Sequence, residues 1–237
     1  MQFTEIVSPT IKELFVRRIE DSILNGELAV GDRLPSEREL AEQMKISKTA
    51  VHSGICDMVR KGFLEVVPRK GIFVGDYAKN GTLETLESIM QYSGGRLDKR
   101  NVQSMLEMRY AIESVALVKL IEAKDAATIE NLHCMFTDAE KELMAGEPDY
   151  RKIGEFCFQF HHYICVASGN TIAPMIFNAF KKPSVSFWTN SSRALGRKEA
   201  LRRVKVFLDL ILAGNAETAQ MHLQYITETS TEIVREQ

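Results

Sequence analysis

Apolar residues near the N-terminus recur at helical spacing, give way to two short strand-like runs, and then return to helical spacing for the rest of the chain. Ile11, Phe15, Ile19 and Ile23 stand at successive i+4 steps with Leu14 beside them, which predicts a helix over residues 9–25 closed by Gly26. Pro35 and Ser36, with Glu39 three residues beyond the serine, carry the reciprocal cap that starts a second helix, and Leu40 and Met44 supply its inner face. Ser47 caps a third. Its apolar positions Val51, Ile55, Met58 and Val59 form a stripe that leaves Lys48, Thr49, His52 and Ser53 outside it. Two short runs, 63–67 and 71–74, flank a turn through Pro68, Arg69 and Lys70, where Gly71 can adopt a positive φ. This order predicts a winged helix-turn-helix whose third helix turns a polar row toward a DNA groove.

Residues 76–82 are polar and read as a linker between a first domain over 1–75 and a second over 83–237. From residue 83 the pattern predicts an all-α bundle of six or seven helices: 83–92, 99–123, 125–145, 148–168, 171–193, 196–213 and 215–235. Gly94–Gly95, Gly146, Gly169 and Gly214 mark the turns. Pro174 suits a first turn, whereas Pro183 should kink or break the long segment 171–193. The fold class is therefore mainly α, with one small β-hairpin.

Composition adds limits. A chain that is 45% apolar and 26% charged with a net charge of −2 is ordinary for a globular protein and unlike one that coats nucleic acid indiscriminately. Between Lys45 and Lys70, however, six basic residues face two acidic ones, a local surplus suited to docking at particular DNA sites. Cys56, Cys134, Cys157 and Cys165 show no C-x-x-C spacing. With no secretory signal or long apolar run, they are expected to be reduced, buried small hydrophobes in a cytoplasmic protein without membrane contact.

The segments D-R-L-P-S-E-R-E-L-A from Asp32, I-S-K-T-A-V from Ile46, G-F-L-E-V-V from Gly62 and G-I-F-V from Gly71 resemble the DNA-binding domain of the GntR superfamily of bacterial repressors. The resemblance implies that Arg38, Ser47, Lys48, Thr49, His52 and the wing residues Arg69 and Lys70 touch double-stranded operator DNA. Lys48 and His52 stand where arginine is common in that family, and Arg69 where a wing glycine is common. These changes leave the operator sequence open, because lysine and histidine lack the bidentate fork with which arginine reads guanine.

In the second domain, M-L-E-M-R-Y-A-I-E from Met105, F-H-x-x-I-x-x-A-S-G-N from Phe160 and A-G-N-A-E-T-A from Ala213 resemble the all-helical FCD type of the FadR branch. The resemblance implies a homodimer reading a palindromic operator and released by a small-molecule effector: fatty acyl-CoA, or another hydrophobic or carboxylate metabolite. Many members bind a divalent metal through an aspartate, a histidine four residues on and two further histidines. Here the first pair is Cys157 and His161, and the later positions hold Val204 and Ile226, with His222 one turn away. A metal-free pocket is the expectation; Cys157, His161 and His222 are the candidates if zinc is bound.

On the 148–168 helix, Phe156, Phe160, Tyr163 and Ala167 make one stripe, and Cys157, His161, Ile164 and Ser168 a more polar one that could face a cavity. Arg109 is the candidate for an anionic effector group, with a salt bridge to Glu113 or Glu107 as its alternative role. Arg109, Cys157, His161 and Ser168 form the expected effector set. A Cys157–His161 hydrolase or zinc enzyme is the rival reading, but no glycine-rich loop, nucleophile elbow or third partner accompanies the pair, so no enzymatic activity is expected.

Overall fold

The structure is a computed structural model that describes residues 8–92 and 99–236. The Gly94–Gly95 turn lies outside the described residues. The chain divides into two compact units, Met1–Tyr92 and Ser93–Gln237.

In the first unit, α1 (Ile11–Leu24) begins at Thr10 and α2 (Glu37–Met44) at Ser36, both with a complete capping box; α3 (Lys48–Arg60) begins at Ser47. These caps satisfy amides that the first turn of a helix leaves unpaired. Antiparallel strands β1 (Leu64–Val67) and β2 (Gly71–Val74) form the wing. The sequence did not disclose that the chain before α2 lies along the wing: Leu34 donates to the Ile72 carbonyl and Val74 to that of Asp32, with an isolated bridge between Arg33 and Phe73.

Phe15, Val16, Ile19 and Ile23 face a core shared with Leu40, Val51, Ile55, Met58 and Phe63. Ile11 and Leu14, expected on that inner face, are exposed, as is Val59 at the edge of the third helix's stripe. Val16 replaces them because the buried stripe of α1 runs along i, i+1, i+4 and i+8. Gly54 permits α1 and α3 to meet, since a Cβ there would lie 2.4 Å from the Phe15 ring.

The stretch expected as a linker holds one helical turn, α4 (Tyr77–Asn80), and α5 (Leu83–Gln91) falls within the first unit rather than opening the second. Polar contacts explain this placement. Lys61 Nζ lies 2.8 Å from Glu20 Oε1 and 3.0 Å from Ser88 Oγ, tying α1, the end of α3 and α5 together.

The second unit contains α6 (Lys99–Ala123), α7 (Ala126–Met144), α8 (Tyr150–Ala167), α9 (Ala173–Ala179), α10 (Lys181–Leu195), α11 (Arg197–Leu212) and α12 (Ala216–Glu236). The segment 171–193 breaks rather than bends: α9 ends, Phe180 intervenes, and Pro183 falls in the first turn of α10, where a missing amide costs little. Helix α8 is central, packed by α6, α7, α9, α10 and α11, and α12 lies along α6. At Gly154 a Cβ would sit 2.7 Å from the Val185 carbonyl oxygen, so only glycine lets α8 and α10 approach this closely. Among the described residues no helix is long and apolar enough to cross a membrane.

Candidate nucleic-acid interface and ligand cavity

On the first unit, Lys48, Thr49 and His52 project from the exposed side of α3, while Arg69 and Lys70 stand exposed at the wing tip. A groove of ≈ 850 Å³ lies between the wing and the start of α2, with Arg33, Glu37, Arg69 and Lys70 among its walls. Arg38 is 80% exposed and pairs loosely with Glu42 at 3.5 Å. Ser47 differs from the rest, because its hydroxyl accepts the Ala50 amide at 3.2 Å and so caps α3. His52 is also engaged, its Nδ1 2.8 Å from Glu37 Oε1.

Two turns among the described residues of the first unit carry positive φ on residues other than glycine. Lys45, at +54°, ends α2 and makes the tight turn into α3. Arg69, at +64°, makes the wing turn itself, whereas Gly71, at +123°, opens β2 against the Arg33 side chain. The backbone therefore takes at Arg69 the conformation that glycine adopts most easily, and a cation occupies the tip.

In the second unit, Cys157 and His161 line a cavity of ≈ 60 Å³ together with Trp188, Ser192, Arg203 and Phe207, contributed by α8, α10 and α11. The imidazole of His161 is stacked on Trp188 with centroids 4.9 Å apart and on Phe207 at 5.6 Å. Its Nδ1 meets Glu113 Oε1 in a buried hydrogen bond. Arg109 stands behind these rings: its guanidinium carbon is 4.0 Å from the Trp188 centroid and 5.4 Å from that of Phe177, and its Nη2 is 3.7 Å from Glu113. Burial pulls its pKa down and Glu113 acts against that pull; a guanidinium remains charged regardless. Arg109 thus holds the internal salt bridge and does not line the cavity.

The positive group at the cavity is Arg203, which reaches Glu199 through Nε at 3.3 Å. Arg202 grips the same carboxylate with bonds of 2.7 and 2.8 Å. Ser168 ends α8, donating to the Cys165 carbonyl and accepting the Asn170 amide, so its hydroxyl serves the helix terminus rather than the cavity. The sequence reading missed Trp188 and Arg203. The first had a signal, as the chain's single tryptophan; the second was hidden in an Arg-Arg pair that reads equally well as a solvated face.

The donor set does not suit a metal. Burial pushes the Cys157 thiol up to about 12, so it keeps its proton near neutrality. His161 already spends Nδ1 on Glu113, while Nε2 of His222 is buried with no hydrogen-bond partner among the described residues. No group of three or more His, Cys, Asp or Glu among the described residues is arranged to hold an ion. Of the cysteines expected to be buried, Cys157 and Cys165 are, whereas Cys56 and Cys134 are exposed on outward faces of α3 and α7.

Residues 12–74 match the family of bacterial regulatory proteins named for gntR, and residues 104–229 match the FCD domain. The transcriptional regulator LutR of Bacillus subtilis is 28% identical over 66% of this chain and 67% of its own. Mce2R of Mycobacterium tuberculosis, also an HTH-type transcriptional regulator, is 24% identical over 96% of this chain and 93% of its own. The solved structure of Lar, which controls expression of the Listeria monocytogenes agr system, superposes with a TM-score of 0.65 at 14% identity, covering 98% of this chain and 99% of that one. A helix-turn-helix with a two-stranded wing, followed by an FCD helical domain, makes this chain a DNA-binding transcriptional regulator of the GntR family, FadR type, and not an enzyme.

Proposed function

We propose that the protein is a cytoplasmic homodimeric repressor that binds a palindromic operator and is released when a small carboxylate enters the cavity of its second unit. On the DNA side, Lys48, Thr49 and His52 read base edges from α3. Arg38, Lys70 and Arg69 hold phosphates, and Ser47 offers the N-terminus of α3. A dimer is what one recognition helix per half-site requires, with half-sites about 34 Å apart.

The observation that carries the effector reading is the composition and size of the cavity. Arg203 gives it a cation, His161 and Ser192 give it polar atoms, and Trp188 and Phe207 give it apolar walls. At ≈ 60 Å³ it has room for a few water-sized groups, which favours a short carboxylate over an acyl-CoA. Cys157 and His161 also line it. Arg109 acts through Trp188, and Ser168 holds the end of α8. Binding that favours one arrangement of α8, α10 and α11 would shift the dimer between states that fit and misfit adjacent major grooves, with a coupling of about 1–3 kcal/mol.

In vitro selection of duplex DNA on the full-length protein tests the DNA side, with an enriched palindrome expected. Native mass spectrometry of the purified protein tests the oligomer and any bound acid. A monomer that enriches no palindrome would overturn the reading.

A further inference from the structure

Cys56 is exposed on α3 one turn beyond His52, so that Thr49, His52 and Cys56 follow one another along a single exposed row at i, i+3 and i+7. Its Sγ is 3.7 Å from His52 Nε2, and Nδ1 of the same ring is 2.8 Å from Glu37 Oε1. The three groups come from two helices: α2 supplies the carboxylate, α3 the imidazole and the thiol. Glu37 fixes the ring's chemistry. A carboxylate facing Nδ1 places the proton on that nitrogen, which leaves Nε2 with a lone pair toward the thiol. A nucleophile, a base and a group that orients the base thus stand in line on the DNA-facing side of the molecule, the arrangement by which cysteines are activated.

We propose that Cys56 is a peroxide-reactive thiol by which oxidation lowers the affinity of the regulator for DNA. His52 Nε2 takes the thiol proton, and the Glu37 carboxylate steadies the imidazolium. The thiolate attacks one oxygen of a hydroperoxide, an S–O bond forms as the O–O bond breaks, and the departing alkoxide or hydroxide takes the proton back from His52. Sulfur loses two electrons and the peroxide gains them, giving a sulfenic acid and an alcohol or water. Cys56 is the only cysteine before residue 134 in the sequence, and the described first unit offers the sulfenic acid no second thiol. A low-molecular-weight thiol therefore condenses with it, releasing water and leaving a mixed disulfide. That adduct stands beside His52 on the row that enters the groove, where added bulk displaces the helix from DNA. A reducing thiol reverses it by exchange.

The molecule contains its own control. Cys134 is also exposed, but its thiol lies 3.5 Å from Glu130 Oε1, and this hydrogen bond and charge push its pKa up. In full-length protein treated with hydrogen peroxide, sulfenic acid is trapped with a cyclic 1,3-dione and the label at each cysteine followed by mass spectrometry. Cys56 should be labelled at least about ten-fold faster than Cys134. His52→Gln and Glu37→Gln should each bring Cys56 toward the rate of Cys134 while leaving Cys134 unchanged. Treatment with peroxide and then glutathione should weaken binding to a duplex selected on the reduced protein by about ten-fold or more, with recovery in dithiothreitol; Cys56→Ser protein should bind that duplex and ignore the treatment. Equal labelling of the two thiols, labelling of Cys56 indifferent to His52→Gln, or unchanged DNA affinity of the Cys56 adduct would each overturn the proposal. The labelling rates need no DNA, so they separate failure of the thiol chemistry from failure of the operator reading.

Discussion

Arg109 lies over Trp188 with its guanidinium carbon 4.0 Å from the ring centroid, buried to 6% exposure, and among the described residues its one ion-pair partner is Glu113, itself 1% exposed. Removing one side of a buried pair costs more than replacing both partners by apolar groups of similar volume. Glu113→Ala should therefore destabilise the second unit by about 3–5 kcal/mol, leaving an uncompensated cation. Arg109→Met removes the other side of the same pair and leaves the buried Glu113 carboxylate with His161 alone, so it should also cost about 3 kcal/mol. Urea unfolding followed by the fluorescence of Trp188, the single tryptophan, measures both.

Two glycines separate two kinds of close approach. At Gly154 an added Cβ meets backbone, the Val185 carbonyl at 2.7 Å and the Thr189 amide at 2.9 Å, and neither can swing away. At Gly54 it meets the Phe15 ring, a side chain with some freedom to turn. Gly154→Ala should cost about 3 kcal/mol and separate α8 from α10, whereas Gly54→Ala should cost about 1–2 kcal/mol. The same unfolding experiment, read by tryptophan fluorescence for the second unit and by circular dichroism for the whole chain, distinguishes them.

The wing turn sets stability against charge. Arg69 holds φ at +64°, a conformation that costs about 1–2 kcal/mol for a residue with a side chain. Arg69→Gly should raise the stability of the first unit by about 0.5–1 kcal/mol, less than the full relief because glycine loses more entropy on folding. The same change should weaken DNA binding and reduce the salt dependence by about one phosphate contact per subunit. Denaturation and a salt titration of affinity read the two effects separately.

Alkaline stability reports the buried thiols. Burial pushes Cys157 and Cys165 up to about 12, so the unfolded chain gives up these protons first as pH rises. Above the ordinary thiol pKa the unfolded state then binds fewer protons than the folded one, and stability falls with pH by up to about 1.4 kcal/mol per pH unit per group until about 12. Below the ordinary value the contribution is present in full. Cys157→Ala should lose stability at about pH 8 through its cavity, and that deficit should narrow toward about pH 11 because one thiol no longer titrates. Denaturant titrations of both proteins across this range provide the check.

Local signals carried most of the architecture into the sequence. The caps at Ser36 and Ser47 and the residue spacing of α6, α7 and α11 depend on neighbours a few positions away, so residue order reveals them. Contacts made across the fold are not written in that order. The strip from Asp32 to Leu34 runs beside the wing through backbone bonds that leave no side-chain pattern. The pairing of Arg109 with Glu113 was visible at i+4, but the Trp188 and Phe177 rings that cover it come from α10 and α9. Helix α5 has an ordinary amphipathic pattern, and what ties it to the first unit comes from elsewhere in the chain: Lys61 and Glu20 at Ser88, Arg60 at Glu84, and the first-unit core against Ile89.

The central claim is that a carboxylate held by Arg203 in the second unit controls DNA binding in the first. Its most direct test is the affinity of the full-length protein for a selected operator duplex, measured with and without a panel of short carboxylic acids, for the native chain and for Arg203→Met. One acid should weaken operator binding of the native protein by about 5–150-fold, the usual range of such coupling, and have no effect on Arg203→Met. An equal response in the variant, or no response of the native protein to any acid in the panel, would contradict the account.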